Sequence, residues 1–403
     1  MKNMVYIQSG GPTSVINTSL YGAIKEAKLH RDEIDHIYGS LNGIEGMIDD
    51  KLIDIDQEDD EQIELLLQTP GSILGTTRRK LPKDVHDPIY MKIVDTMKKR
   101  DIKYVFVNGG NDSMDTVAAL SEYAKEHNIT KHRFVGCPKT VDNDLIITDH
   151  CPGFASAAKF IATTALQTWL DVNVYTRQEV FILETMGRDA GWLAASACLS
   201  GVVDILCLPE TPFDKDIFLK QVKKCIDEKN KCYIVISEGC KYADGTYIAA
   251  GQAKNDGFGH AMLGGAGQAV KEIILESGVA SRAKVQDLST AQRCFAVQQS
   301  LVDVTESFQL GMSAHMRSCD KAFTGKMVGL VRKDVPEYDV DFIAVDAIEV
   351  ANQVKGFPQE WIKPNYQGIS EEAVKYLEPL IKGSPTVYYK DGVPAYVKPY
   401  YMR

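Results

Sequence analysis

Short runs of β-branched and aromatic residues recur along the chain, each followed by a polar or glycine-rich turn and then by apolar residues spaced three and four apart. This alternation predicts a parallel sheet with helices on both faces, and therefore an α/β fold with two doubly wound halves. The predicted strands cover residues 5–7, 104–107, 133–135, 180–183 and 233–236. The predicted helices cover residues 15–29, 113–127, 155–170, 218–228, 266–275 and 298–311.

Two shorter patterns add local predictions. The acidic run from residue 54 to residue 64 is typical of a solvent-exposed helix face. Near the end of the chain, Lys390, Asp391 and Gly392 lie between apolar and aromatic residues, and this arrangement predicts a tight β-hairpin.

Composition narrows the classes of protein. The chain has 403 residues, 44% of them hydrophobic, which suits a globular protein of two domains. Its formal net charge of -10 disfavours nucleic acid and anionic membrane as general partners, since both would need a basic face. Nine cysteines without a Cys-x-x-Cys pair fit reduced thiols better than a disulfide framework or a zinc site. No apolar run suits a signal peptide or a membrane span, so we expect a cytoplasmic protein.

The most informative motif follows the predicted strand 133–135, where Lys139 precedes Asp142 and Asp144. Open α/β sheets bind their ligands at the carboxyl ends of the strands. At such a position one carboxylate can take a proton from a hydroxyl, another can hold Mg²⁺, and an ammonium can offset charge on a transferring phosphoryl group. The motif therefore predicts phosphoryl transfer, although a polar turn of Pro, Asn and Asp explains the same residues equally well in isolation.

Four further strand-to-helix turns carry groups that bind phosphate. Residues 9–17 and 107–113 combine glycines with the start of a helix, whose free N–H groups attract anions. Residues 71–80 end in three cations that can clamp a polyphosphate, and residues 184–192 place an arginine after a glycine. Each turn alone has an ordinary structural explanation, so their number carries the argument. Further residues that could join a second phosphate site are Arg177, Glu238, Arg282, Lys284 and Arg293.

Together and in this order, the motifs resemble the phosphofructokinases over roughly residues 5–312, and they look most like the pyrophosphate-dependent branch of that family. The resemblance implies two Rossmann-like domains with the active site in the cleft between them. It implies a donor domain of residues 1–153 plus about 290–345, and a sugar-phosphate domain of residues 154–289 plus about 346–403. It also implies a Mg²⁺-dependent, reversible transfer from pyrophosphate to the 1-hydroxyl of fructose 6-phosphate, by a homodimer or homotetramer.

The resemblance implies a role for each matching residue. Asp142 would be the base that deprotonates the sugar hydroxyl, with catalytic support from Lys139, Asp112 and Arg188. The implied donor-binding residues are Gly11, Arg78, Gly110, Asp112 and Ser113. The implied metal ligands are Asp144 and Asn111, where the family usually has aspartate. The implied sugar-phosphate residues are Thr140, Val141, Asp142, Met186, Gly187, Arg188, Glu238, Gln292, Arg293 and, from the neighbouring subunit, Arg177.

Two positions predict which donor is used. ATP-using relatives have glycine where Asp112 stands, and a carboxylate there adds bulk and repels the α-phosphate of a nucleotide. The same relatives have glycine where Lys139 stands, and a lysine adds a cation for a donor that has no adenosine. Pyrophosphate is therefore the predicted donor.

Several alternatives stay open at this point. Sedoheptulose 7-phosphate is an alternative acceptor because no motif measures sugar length, and ATP is an alternative donor. A non-catalytic sugar-phosphate-binding subunit would keep the arginines without the base. A nicotinamide dehydrogenase would need a Gly-x-Gly-x-x-Gly turn after a strand, which the sequence lacks. The intersubunit phosphate contact falls to either Arg282 or Lys284.

Overall fold

The computed structural model describes residues 2–249, 254–255, 261–262 and 264–402. Its strands are β1 (Asn3–Gln8), β2 (Ile37–Ser40), β3 (Leu52–Asp54), β4 (Ile102–Gly109), β5 (Arg133–Pro138), β6 (Glu179–Thr185), β7 (Ile205–Cys207), β8 (Lys231–Ser237), β9 (Lys254–Asn255), β10 (Ala261–Met262), β11 (Ala283–Asp287), β12 (Lys326–Arg332), β13 (Val340–Asp346), β14 (Tyr389–Lys390) and β15 (Val393–Pro394). Its α-helices are α1 (Ile16–Leu29), α2 (Ile44–Ile48), α3 (Asp60–Glu64), α4 (Pro88–Lys99), α5 (Asn111–Glu126), α6 (Phe154–Asn173), α7 (Trp192–Ser196), α8 (Lys215–Lys229), α9 (Ala266–Glu276), α10 (Ala291–Cys294), α11 (Leu301–Ser318), α12 (Ala347–Val350) and α13 (Glu371–Leu377).

Two sheets organise the described residues. The larger has seven strands in the order β13-β12-β5-β4-β1-β2-β3, and the smaller has four in the order β11-β6-β8-β7. All pairs in the smaller sheet are parallel, whereas the larger sheet is parallel at its centre and antiparallel at both edges. The predicted α/β fold with parallel sheets is confirmed.

The sheet centres are buried because helices cover both faces. Every residue of β1, β6 and β8 is buried, so these strands are apolar throughout their middles instead of alternating. The predicted helices are all present, with ends shifted by a few residues: the segment predicted as 298–311, for example, is a 3₁₀ turn (Ala296–Gln298) and then α11.

Helices α1 and α11 pack side by side on the larger sheet. A Cβ on Gly22 would lie 2.1 Å from the Phe308 carbonyl oxygen, and one on Gly311 would lie 2.0 Å from that of Ser19. The two backbones can approach this closely only because both positions lack a side chain. Helix α11 and strands β12 and β13 thus join the first half of the chain in space, in the way the sequence predicts for residues 290–345. The domain boundaries themselves stay a prediction.

The C-terminal segment is divided between the two halves. Ile369, Ala373 and Leu377 lie in the core that also contains Phe181 and Tyr233 of the smaller sheet. Residues 388–401 instead contact the first half: the Tyr388 N–H donates to Gln68 Oε1 at 2.8 Å, and the Val397 N–H donates to Thr69 Oγ1 at 3.0 Å. For these last residues we propose the donor half in place of the predicted sugar half.

One local prediction is wrong and another is confirmed. The acidic run is not a single helix face: Asp54 ends β3, a 3₁₀ turn spans Ile55–Gln57, and only α3 is α-helical. Ile55 and Ile63 are buried in the core and hold this run against it. The run therefore forms three short elements and not one exposed helix. The hairpin is confirmed as β14 and β15, with φ of 53° at Asp391 and 85° at Gly392 in its turn. No helix in the described ranges has both the length and the apolar character needed to cross a bilayer.

Candidate active site

A cleft of ≈ 350 Å³ lies at the carboxyl ends of the central strands, with one wall from each half of the chain. Turns after β1, β4 and β5 form one wall, and turns after β6 and β8 form the other. The lining residues are Ser9, Gly10, Gly11, Pro12, Thr77, Arg78, Arg79, Gly110, Asn111, Asp112, Ser113, Lys139, Thr140, Val141, Asp142, Asp144, Met186, Arg188, Asp189, Ala190, Glu238, Arg293 and Val354. Most of the predicted site residues therefore meet in one place.

Residues 139–149, which we call the base loop, leave β5 at the cleft. The Lys139 N–H donates to the Gly109 carbonyl oxygen at 3.0 Å, and the Asp142 N–H donates to Thr140 Oγ1 at 3.1 Å. Asn143 has a φ of 53° and is fully buried, and its Oδ1 accepts the Cys151 N–H at 2.9 Å. Asparagine tolerates this left-handed conformation, and the sharp turn places Asp142 and Asp144 in the cleft wall on either side of it.

Lys139 has only 1% of its surface exposed, yet it carries an ammonium group. Its Nζ donates to the Ser9 carbonyl oxygen at 2.8 Å and to the carbonyl oxygen of Gly11. Burial lowers the pKa of Lys139 to about 7, because desolvation and the nearby Arg293 outweigh the attraction of Asp142. The cation thus sits directly beneath the glycine turn predicted to bind the donor.

The carboxyl groups of the cleft have raised pKa values. Burial is the main cause at Asp142, where Arg188 and Lys139 oppose the rise, and burial with repulsion from Asp142 raises the pKa of Asp144 to about 7. Burial and repulsion from Asp142 raise the pKa of Glu238 to about 7. Three acidic groups therefore lie close together with little water to stabilise their negative charges. A cation bound among them would lower their pKa values again.

The donor-side turns are tied to each other by the backbone. The Gly10 N–H donates to the Thr77 carbonyl oxygen at 3.1 Å, and Thr76 Oγ1 donates to the Gly10 carbonyl oxygen at 2.7 Å. Gly10 has a φ of 75°, so the turn needs glycine there. These bonds bring Arg78 to the cleft beside Gly11, although the two residues are far apart in the sequence.

Helix α5 begins at the cleft, as the sequence predicts for residues 107–113. A Cβ on Gly109 would lie 1.9 Å from Ser113 Oγ, so the strand can turn into the helix only with glycine. Asp112 forms an ion pair with Lys80 at 2.9 Å. The Asn111 Oδ1 atom is buried and has no hydrogen-bond partner in the part of the chain that the structure describes. Such an oxygen normally has a partner, and a bound ligand would supply one.

Residues 186–192, which we call the sugar turn, form the opposite wall. Gly187 has a φ of 126°, and a Cβ there would lie 2.7 Å from both the Ala190 carbonyl oxygen and Ser237 Oγ. Ser237 Oγ donates to the Gly187 carbonyl oxygen, which fixes the turn beside the end of β8. This geometry presents Met186 and Arg188 to the cleft, while Gly187 itself shapes the backbone behind them.

Besides Gly187, two predicted sugar-phosphate residues lie outside the cleft lining. Gln292 is buried, its Oε1 accepts the Met186 N–H at 3.2 Å, and its Nε2 donates to the Ser289 carbonyl oxygen at 2.9 Å. This arrangement gives Gln292 the role of holding the sugar turn, while the adjacent Arg293 lines the cleft. Arg177 lies on the surface after α6, where its Nε contacts Glu179 Oε2 at 3.3 Å.

The structure adds residues that sequence reasoning missed. Val354, from the segment after α12, lines the cleft opposite the donor turns. Asp303 on α11 accepts the Gly153 N–H at 2.9 Å and the Ser156 N–H at 3.0 Å, and so caps the start of α6 next to the base loop. Neither position is part of a local motif, so only the fold brings it to the site.

Comparisons with known proteins agree with this geometry. The family model described as phosphofructokinase matches residues 3–317. A pyrophosphate--fructose 6-phosphate 1-phosphotransferase of Halomonas elongata is 37% identical over 98% of this chain and 96% of its own. A sulfofructose kinase of Alkalicoccus urumqiensis is 32% identical over 84% of this chain and 86% of its own. The crystal structure of a pyrophosphate-dependent phosphofructokinase from Marinobacter aquaeolei superposes with a TM-score of 0.89 at 34% identity, covering 99% of this chain and 96% of that one.

Proposed function

This chain belongs to the phosphofructokinase family, and on that premise we propose that it transfers a phosphoryl group from pyrophosphate to the 1-hydroxyl of fructose 6-phosphate. The products are fructose 1,6-bisphosphate and orthophosphate. One observation carries the proposal: Lys139 and Asp142 line the same cleft, and Lys139 is buried. The glycine-rich turn after β1 lies on one side of this pair, and the sugar turn with Arg188 lies on the other. The transfer is reversible, because a phosphoanhydride is converted into a phosphate ester of comparable energy.

Asp142 acts as the general base for the sugar hydroxyl. It lies in the base loop, where burial raises its pKa above that of an exposed aspartate. The Arg188 guanidinium favours its ionised form, so the base is available when the sugar is bound. As the hydroxyl oxygen attacks the phosphorus, its proton passes to the Asp142 carboxylate, and orthophosphate leaves from the opposite side.

Three cations flank the path of the phosphoryl group. Lys139 lies under the glycine turn, Arg78 stands beside Gly11, and Arg293 approaches that same glycine, with Nη1 3.3 Å from where a Cβ would be. Their positive charge stabilises the oxygens on which negative charge increases during transfer. Arg293 adjoins Gln292, which is bonded to the sugar turn, so these cations reach both walls and also draw donor and acceptor together.

The residues present fit Mg²⁺. Asn111 offers a buried amide oxygen without a described partner, and Asp142 and Asp144 are carboxylates whose raised pKa values a cation would lower. Oxygen ligands of this kind suit Mg²⁺, which usually completes its shell with water and substrate phosphate. When bound, Mg²⁺ would neutralise part of the charge of pyrophosphate. We propose Asn111 and Asp144 as its protein ligands.

Pyrophosphate is the proposed donor because the donor wall already contains a side chain where a nucleotide would need room. Asp112 lines the cleft from the first turn of α5 and is paired with Lys80 at 2.9 Å. The α-phosphate of ATP would meet this carboxylate and be repelled by it. The names of the relatives support the same choice.

A homo-oligomer is proposed from the surface around Arg177. Arg177, Arg282 and Lys284 surround Glu179 at 3.3, 3.9 and 3.5 Å, and we call these four residues the cation cluster. Leu170 and Val174 near it are 59% and 71% exposed, which is typical of a contact surface. We propose that this surface meets a second copy and that Arg177 contacts the 6-phosphate bound there, with Arg282 and Lys284 both near enough to assist.

Sulfofructose is a second candidate acceptor, since a sulfofructose kinase is 32% identical to this chain. The two sugars differ at carbon 6, so the cations that face this end decide between them. Sedoheptulose 7-phosphate, which has a longer carbon chain, stays a further alternative acceptor. The cytoplasmic location stays a prediction.

The proposal is tested with purified protein and a panel of donors and acceptors. Pyrophosphate, ATP and ADP are each supplied with fructose 6-phosphate and Mg²⁺, and fructose 1,6-bisphosphate is measured. Sulfofructose and sedoheptulose 7-phosphate are then compared with the best donor. We expect turnover with pyrophosphate and fructose 6-phosphate to exceed every other pair. Faster turnover with ATP would reject the donor assignment.

A further inference from the structure

Residues 354–357, which we call the strap, connect the base loop with the sugar turn. Val354 lines the cleft and is half exposed, whereas Phe357 is buried in the core of the smaller sheet. The strap thus starts at the site and ends in the packed interior. It contacts the base loop and the sugar turn, which are more than 35 residues apart in the sequence.

One strap residue, Lys355, binds the base loop at three points. Its backbone N–H donates to the Asp144 carbonyl oxygen at 2.7 Å. Its Nζ donates to the carbonyl oxygens of Thr148 and Asp149 at 3.0 and 2.8 Å. These bonds hold the base loop against the strap and fix the two ends of the segment that follows Asp142.

The same strap binds the sugar turn at two points. Trp192 Nε1 donates to the Lys355 carbonyl oxygen at 2.9 Å, and the Lys355 ammonium lies 5.4 Å from the Trp192 ring centroid. Glu210 Oε1 accepts both the Gly191 N–H at 2.8 Å and the Phe357 N–H at 2.7 Å. Lys355 is therefore held between the two walls, with a bond to each.

We propose that the strap fixes the base loop relative to the sugar turn, with Lys355 as the positioning residue. The proposal rests on the proposed function, because it concerns the same site. The base Asp142 and the sugar-binding Arg188 must contact one substrate molecule at the same time. If the base loop moves relative to the sugar turn, phosphoryl transfer becomes slower while substrate binding is little changed. The strap supplies this constraint through its hydrogen bonds to both loops.

Lys355→Met removes the ammonium and keeps most of the side chain's bulk. We expect kcat to fall by roughly 100-fold, the cost of a small misplacement of reacting groups, while the KM values for sugar phosphate and pyrophosphate change little. Lys355→Arg retains a donor for both carbonyls and should recover much of the turnover. Lys363→Met, the same change at an exposed lysine of the same C-terminal segment, serves as the matched control.

Hydrogen exchange separates coupling from a general loss of structure. In Lys355→Met, amide exchange should rise in both residues 140–149 and residues 187–192, and stay unchanged in β1 and β8. Trp192→Phe removes the indole N–H bond to the strap and keeps a smaller aromatic ring at this buried position, so it tests the same coupling if Lys355→Met fails to fold. Normal kcat, or faster exchange in only one of the two loops, would overturn the proposal. Absence of pyrophosphate turnover by the unsubstituted protein would instead reject the proposed function, and the exchange results would still decide the coupling.

Discussion

The cleft around Lys139 and the cation cluster around Glu179 both gather positive charge near a carboxylate, but they differ in access to water. Lys139 is 1% exposed and its ammonium is bonded to backbone carbonyls. In the cluster, the side chains of Arg177, Arg282 and Lys284 are 46%, 50% and 42% exposed, around a glutamate that is fully buried. Burial lowers the pKa of Lys139, whereas the three exposed cations outnumber the one glutamate between them and so offer surplus positive charge to an anion from outside.

The difference teaches how one reaction can draw on two kinds of phosphate site. The cleft is assembled within the chain, and its groups face a cavity that the two walls enclose. The cluster lies on the surface after the end of α6, so its use depends on what covers it. Each prediction below changes one of the two regions or the link between them.

The largest effect is expected from Asp142→Asn in the cleft. Loss of the general base should reduce turnover about 10²–10⁴-fold in both directions, while calorimetric binding of fructose 6-phosphate stays largely intact. Asp171→Asn, at an exposed position on α6, is the control for the same change of charge. Near-normal turnover of the Asp142 variant would remove this residue as the base.

Lys139→Met should lower turnover by about 10²–10³-fold, because a cation beside the transferring group is lost from a buried site. It also tests the pKa of Lys139, which burial lowers to about 7. At about pH 8 the amine is mostly neutral in the free protein, and bound pyrophosphate favours the ammonium form, so binding takes up a proton.

Calorimetry in buffers of different ionisation enthalpy measures this proton uptake. The uptake should fall as the pH drops below the pKa, where Lys139 is already protonated before pyrophosphate binds. It should be absent in Lys139→Met and retained in the exposed-site control Lys92→Met. Equal uptake by the original protein and Lys139→Met would mean that another group accounts for it.

Arg177→Ala in the cation cluster should raise the KM for fructose 6-phosphate about 10- to 100-fold, the usual cost of losing a charged hydrogen bond, and leave the KM for pyrophosphate nearly unchanged. Mixing Arg177→Ala subunits with Asp142→Asn subunits then tests for a shared site. Random dimers should regain about a quarter of full activity, since one site in each hybrid contains both residues. No recovery after verified subunit exchange would place Arg177 at the site of its own chain or outside any site.

A smaller change, in the choice of phosphoryl donor, is expected when side chains are removed from the donor wall of the cleft. Asp112→Gly combined with Lys139→Gly should raise the ratio of ATP to pyrophosphate activity by about tenfold or more, because the bulk and repulsion facing a nucleotide are removed. The ratio is measured from kcat/KM for each donor. An unchanged ratio would mean that other residues choose the donor.

The smallest effect on chemistry is expected from Asp303→Asn, which affects the link between the regions. Asp303 caps α6, whose first residue follows the base loop and whose last precedes the cation cluster. The variant should lose about 1–3 kcal/mol of unfolding free energy, because at least one buried N–H group loses a charged partner. Denaturant unfolding measures this loss. Unchanged stability would show that the amide replaces the carboxylate fully.

Local sequence patterns were enough to predict the five strands that lead into the cleft and the turns after them, but not β2, β3, β7, β11, β12 and β13. The 71–80 turn follows a 3₁₀ turn and not a strand. Lys139 and Asp142 follow β5 and Arg188 follows β6, so each group lies at the carboxyl edge of its own sheet. The burial of Lys139 beneath Gly11 was not predictable, since it depends on contacts between separate turns. The sequence did not single out the strap because Val354 and Lys355 form no motif. The bonds of Gln292 to Met186 and Ser289 were not predictable either, because a motif does not reveal which polar atoms are already bonded.

A lysine that loses its proton near neutral pH is also a reactive amine. Aldehydes and acylating reagents attack only the uncharged form, so at a given pH the side chain of Lys139 offers them far more of it than exposed lysines do. A phosphorylated aldehyde that enters the cavity should therefore form its imine there first, and pyrophosphate should protect against labelling. The same burial that tunes this amine for phosphoryl transfer thus also gives it a reactivity that exposed lysines lack.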